Sequence, residues 1–163
     1  MVFVTIIIGV ISLAVFVVPV LYLITRHKKK AGEALREFLA LGEQQQLRLT
    51  RHDFWEPGLA IGLDEGQRKL LYLQKQDSFM KQTLIDLAEV KSCTVVNLHH
   101  EVNGNRIIDE VALHVTFLDA KRPIQSLVFY SKAWDMLPNV ELRLAEKWNA
   151  SINAVLEATR QPV

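Results

Sequence analysis

The chain has one cysteine, Cys93, in 163 residues. That excludes an internal disulfide framework and a multi-cysteine zinc site. It also lacks an excess of either charge. The formal net charge is +1, so the whole chain is not a polycationic nucleic-acid binder, and no nucleic acid is expected as a partner. No internal repeat or low-complexity stretch is present. No Gly-rich phosphate loop, Ser-centred elbow or His-Glu-x-x-His sequence occurs either, so the common phosphate-binding, esterase and metalloprotease signatures are missing. Half the residues are apolar and 23% are charged, which excludes intrinsic disorder.

The apolar residues are unevenly spread. Met1 to Ile24 carries no charge, and only Thr5, Gly9, Ser12 and Pro19 fall outside the apolar set. A bilayer core needs about 20 helical residues. The run ends at Arg26-His27-Lys28-Lys29-Lys30. Cations are costly in lipid and stop a helix at the interface. A cleaved signal would carry its charge before a shorter apolar core, so residues 1–25 read as an uncleaved transmembrane helix. Lys and Arg are retained on the cytoplasmic side. The expected location is therefore the inner (plasma) membrane, single-pass, with the N-terminus outside and the rest cytoplasmic. Arg26, Lys28, Lys29 and Lys30 are the expected membrane-surface contacts, since each cation near anionic headgroups contributes about 1 kcal/mol.

Beyond residue 30 the balance reverses. Fifteen Lys and Arg face all 18 acids there, a net charge of −3. Residues 26–46 read as the basic block and a connector helix, with Leu35, Phe38, Leu39 and Leu41 as its apolar stripe. Residues 47–163 read as one domain.

Within that domain the period changes to two. Expected strands start with Leu47-Arg48-Leu49-Thr50, then Leu59 to Leu63 and Lys69 to Gln74 across an Asp64-Glu65-Gly66-Gln67 turn. A short strand Thr83 to Ile85 leads to a capped turn, Asp86-Leu87-Ala88-Glu89. Strands Val90 to Val102 and Ile107 to Leu118 flank Asn103-Gly104, whose residue types tolerate positive φ. Ile124 to Tyr130 makes the last strand. A final helix follows Pro138 and Asn139, with Leu144, Ala145, Trp148, Ile152, Val155 and Leu156 on one face.

The fold class is thus α+β and mainly antiparallel β. Six or seven strands closed by one amphipathic helix resemble the pleckstrin-homology-like (PH-like) fold over Leu47 to Thr159. The features that carry the likeness are Leu84 to Val90, the hairpin around Asn103-Gly104, and the helix that begins Leu142-Arg-Leu-Ala-Glu-Lys-Trp-Asn. With the anchor, the chain resembles an uncharacterised bacterial family of single-pass proteins bearing a PH-like domain. The resemblance implies a six- to seven-stranded barrel or sheet and a non-enzymatic docking module without a cofactor. Phosphoinositide-binding members place Lys and Arg around the first hairpin. Here that turn begins with Asp64 and Glu65, so a protein or peptide partner is favoured over an inositol phosphate. The fold's other ligand mode is a peptide along a sheet edge or beside the C-terminal helix.

Several residues invite chemistry. His99, His100 and His114 are metal candidates with Glu101 or Asp109, although adjacent strand residues point to opposite faces. Cys93 with Lys91 is a thin nucleophile candidate; a buried structural cysteine is the plainer reading. Asp64 with Glu65, and Asp109 with Glu110, are carboxylate pairs expected to be solvated. His52 to Pro57 reads as a loop holding Trp55, either packed or displayed. Trp55, Tyr130 and Trp134 are the candidate partner-binding aromatics. Lipid-headgroup sensing, and a metal-dependent enzyme around His99, His100 and His114, are the alternative functions.

Overall fold

A computed structural model describes residues 32–55, 58–76, 79–134 and 140–160. The expected transmembrane helix and Arg26, Lys28, Lys29 and Lys30 lie outside the described residues. Among the described residues, no helix is long and apolar enough to cross a membrane.

Helix α1 covers 32–44. Its C-terminus is closed by two backbone bonds, Leu47 N–H to Gly42 O (2.9 Å) and Gln46 N–H to Glu43 O (2.9 Å). Gln46 takes the left-handed conformation that this cap requires, φ 59°.

The compact unit that bears the sheets spans Gly42–Val163. Strands β1 (Arg51–Trp55), β2 (Leu59–Asp64), β3 (Lys69–Gln76) and β4 (Phe79–Asp86) form one antiparallel sheet in that order. Strands β5 (Val90–Val102), β6 (Asn105–Phe117) and β7 (Gln125–Ser131) form a second, and helix α2 (Glu141–Arg160) ends the described chain.

The elements follow local chemistry. Asp86 accepts from Ala88 N–H at 2.9 Å and starts a 3-10 turn, Leu87–Glu89, between the sheets. Asn103 (φ 52°) and Gly104 (φ 77°) make the two-residue turn of the β5–β6 hairpin. On β6, Val111, Leu113, Val115 and Phe117 are buried, as alternation predicts. In α2, Ala145, Trp148, Ile152 and Leu156 fall on one stripe and join both sheets in a single core.

Two strands differ from the sequence reading. Leu47 to Thr50 is not a strand. It leads from the cap of α1 into β1, and His52 to Trp55 is strand rather than loop. β4 begins at Phe79, not Thr83, because its first half pairs with β3 while exposing apolar side chains.

Three bulges shape the second sheet. The register skips Lys91 in β5, Asp109 in β6 and Phe129 in β7. A bulged residue leaves the ladder and is re-aimed. Each of the three finds another partner. Arg160 donates to Lys91 O. The Asp109 carboxylate meets His100. Trp55 donates to Phe129 O.

Candidate functional site

Among the described residues, the two sheets have four edge strands, β1, β4, β5 and β7. Each offers unpaired backbone groups unless something covers them.

The edge of β5 beside α2 is occupied by the helix's own side chains. Asn153 Nδ2 donates to Cys93 O at 2.9 Å, and Cys93 N–H donates to Asn153 Oδ1 at 3.4 Å. The Asn153 amide stands in for a neighbouring strand, and Arg160 takes the next carbonyl, Lys91 O. Strand β7 is covered from the first sheet. Trp55 Nε1 donates to Phe129 O at 3.0 Å and Tyr72 Oη donates to Val128 O.

Between β1 and α2 lies a cleft of about 260 Å³ lined by Thr50, Arg51, His52, Asp53, Lys147, Trp148 and Ser151. Its polar groups largely satisfy one another. Asp53 accepts from Lys147 Nζ (2.7 Å) and Trp148 Nε1 (2.8 Å). Arg51 pairs with Glu65 at 2.9 Å. Thr50 and Ser151 donate to the carbonyls of Leu63 and Lys147. The cleft is a latch between β1 and α2.

Strand β4 is different. Among the described residues, no strand pairs with its outer edge. Its first four residues are all exposed, and Phe79, Met80 and Leu84 expose 56%, 51% and 42% of their surface. The outward groups follow from the ladder. Lys75 N–H bonds to Gly58 O, toward β2. Alternate residues of a strand point their backbone groups to opposite sides. Gln74 and Tyr72 therefore face β4, and their partners Lys81 and Thr83 face β3. Met80, Gln82 and Leu84 are left to direct N–H and C=O outward.

The residues singled out in the sequence fall elsewhere. Trp55 is 7% exposed and stacks on Phe129 with ring centroids 4.7 Å apart. Tyr130 is also buried, and Trp134 is half-buried against the core. A displayed aromatic pair is therefore not what Trp55 and Tyr130 form. Burial raises the Tyr130 phenol above its ordinary pKa, and the carboxylates of Glu141 and Asp109 add to the rise. Cys93 is buried and its thiol is pushed up to about 12 by burial, so it carries no thiolate at neutral pH.

The histidines do not converge. His114 pairs in register with Thr94, whereas His99 pairs with Ile108 and His100 with Ile107. Arg106 lies 3.0 Å from His99 Nδ1, and Asp109 lies 2.7 Å from His100 Nδ1. Among the described residues, no group of three His, Cys, Asp or Glu side chains is placed to hold a metal ion.

Asp64 is not the solvated carboxylate expected from its turn. It is buried, and accepts from Arg48 N–H (2.6 Å) and Gln67 N–H (2.8 Å). Burial alone would raise its pKa. The N–H donors of Gln67, Arg48 and Gly66 outweigh that and hold it below the ordinary 3.8. A depressed carboxylate pKa contributes stability above the unfolded-state value, and that stability is lost as pH falls through the folded-state value. Asp64→Asn should therefore cost about 1–3 kcal/mol at pH 7. The gap to the wild type should close below about pH 4. Urea denaturation at pH 7 and pH 3 checks this; an equal gap at both pH values would show that the carboxylate charge is not what holds the turn.

Sequence reasoning missed the β4 edge because it began that strand at Thr83. The signal that exposes Phe79 and Met80 is that Lys81 and Gln82 follow directly, so alternation fails over the first half of the strand. Compared with protein-family models, curated proteins and solved structures, the chain matches none.

Proposed function

We propose that the protein is a membrane-anchored docking module that binds an extended segment of a partner protein by strand addition along β4. The observation that carries this reading is the β4 edge, which no strand among the described residues pairs with, where Phe79, Met80 and Leu84 are exposed. Strand addition takes its affinity from main-chain hydrogen bonds and its specificity from alternate side chains. Such an edge is an aggregation hazard unless it is used or guarded.

The reading includes a PH-like fold. Its support is the order of elements: four antiparallel strands, three more, then one helix that joins both sheets. The docking surface differs from the aromatic loops and from the edge beside the C-terminal helix, which Asn153 and Arg160 occupy.

The anchor is the uncharged run Met1 to Ile24, followed by four cations in five residues. Held on a membrane, the domain would present its edge at raised local concentration to other membrane-bound chains. Reporter fusions at the C-terminus should be active only in the cytoplasm. A signal confined to the outer side would overturn the orientation.

Gln82→Pro tests the docking edge. Proline removes one outward N–H and is tolerated on an edge strand. The full chain in lipid nanodiscs should bind a fluorescent, end-blocked Val/Thr-alternating heptapeptide. Gln82→Pro should weaken that binding at least about tenfold, the effect of losing roughly 1.4 kcal/mol. Ile124→Ser, on another exposed apolar residue, should bind as the wild type does. A Gln82→Pro variant that melts normally and binds equally well would remove β4 as the docking edge.

A further inference from the structure

We infer that the segment docking on β4 carries a carboxylate opposite Lys81, between apolar residues that meet Met80 and Leu84. This rests on the strand-addition reading above and names the chemistry of its partner.

The inference comes from the ladder. Met80, Gln82 and Leu84 point their backbone groups outward, so an antiparallel added strand would bond at these positions. Lys81 and Thr83 would then sit at non-hydrogen-bonded pairs, where opposed residues approach most closely, with Cα atoms about 4.5 Å apart. An opposed residue there lies directly beside the Lys81 side chain.

The surroundings favour a negative charge at that point. Lys81 is exposed, and its cross-strand partner is the neutral Gln74. Asp86, the acid within β4 itself, lies at its far end and accepts from Ala88 N–H. A cation on the added strand would meet Lys81 directly, and like charges opposed across a pair are destabilising. A carboxylate gains there, and the charge would also fix register, because sliding by two residues places it against Phe79 or Thr83.

The side-chain faces complete the pattern. Met80, Gln82 and Leu84 share one face of β4, so opposing residues at 80 and 84 bury best if apolar. Phe79, Lys81 and Thr83 share the other. Read in the direction of β4, the segment is apolar opposite 80, acidic opposite 81, polar opposite 82, β-branched opposite 83 and apolar opposite 84.

The test uses the full chain in nanodiscs and three end-blocked heptapeptides of alternating Val and Thr, with Glu, Gln or Lys at the centre. Fluorescence anisotropy should give affinities in the order Glu, Gln, Lys. Glu and Lys should differ by about tenfold, because an opposed carboxylate gains at Lys81 and an opposed ammonium loses. Lys81→Glu should reverse the order. Equal binding of all three peptides, lost in Gln82→Pro, would overturn the carboxylate and leave strand addition standing. No binding of any peptide would overturn both. A shift of the chain to dimers without peptide, lost in Gln82→Pro, would make a second copy the occupant and overturn the inference.

Discussion

Trp148→Ala should destabilise the domain by about 3–5 kcal/mol, the usual cost of emptying a buried tryptophan site. That is a large share of the 5–15 kcal/mol that holds a typical domain together. Trp148 is 1% exposed and is the largest fully buried side chain. It sits on the α2 stripe that packs both sheets, and its Nε1 donates to Asp53 at 2.8 Å. Truncation therefore opens a cavity where three elements meet and removes one bond from the β1–α2 latch. Trp148→Phe separates the two effects. The ring remains, and Asp53 keeps Lys147 at 2.7 Å, so the loss should be less than half that of alanine. Urea denaturation followed by circular dichroism measures both. A cost below about 1 kcal/mol for alanine would mean that α2 does not fill the core.

Gly58→Ala should cost about 2–4 kcal/mol, although it adds one methyl group and touches no binding edge. Gly58 has φ +103°, which side-chain-bearing residues rarely adopt, and a Cβ there would lie 2.4 Å from Lys75 O. The obstacle is backbone and cannot swing aside. Gly58 O also accepts from Lys75 N–H at 2.9 Å, so relieving the clash breaks the pairing that sets the β2–β3 register. The contrast is Gly66→Ala. A Cβ at Gly66 meets Asp64 Oδ1 at 3.4 Å, an ordinary contact, and the cost should stay below about 1 kcal/mol. Equal losses at the two sites would show that the Lys75 carbonyl is not the cause.

Much of this fold was readable wherever a single local rule governed. β5 runs Val90–Val102 as the alternation implied, and Asn103-Gly104 turns the chain as two positive-φ residues should. Asp86 caps its turn through Ala88 N–H, and Trp148 anchors α2 in the core. The parts that were not readable depend on distant residues. Leu47 and Leu49 alternate with polar neighbours as a strand would, yet Leu47 is tied to the cap of α1. His52 and Asp53 look like loop residues, yet Asp53 pairs with Ile61 in β1, and Lys147 and Trp148 donate to its carboxylate from 94 and 95 positions away. The bulges at Lys91, Asp109 and Phe129 leave no periodic signature, because a skipped residue is defined by the partner strand.

The candidate site was less legible than the fold. Trp55 and Tyr130 are aromatic in the way of binding anchors, but aromatic side chains serve cores equally well. What separates the roles is the hydrogen bond from Trp55 to Phe129 O, 74 residues away. Asn153, which occupies the β5 edge, looks like any polar residue on the outer face of a helix. The β4 edge becomes a candidate only once β7 and the part of β5 beside α2 are seen to be occupied by side chains from elsewhere in the domain.

The decisive measurement is residue-resolved amide hydrogen exchange of the full chain in nanodiscs, with and without the Glu-centred Val/Thr heptapeptide. Strand addition at β4 places new acceptors on the N–H groups of Met80, Gln82 and Leu84. Exchange at these three should slow when the peptide binds. Lys81 and Thr83, already bonded toward β3, should change little. Peptide binding that leaves Met80, Gln82 and Leu84 unprotected, or that protects β1 or β5 instead, would contradict docking on this edge.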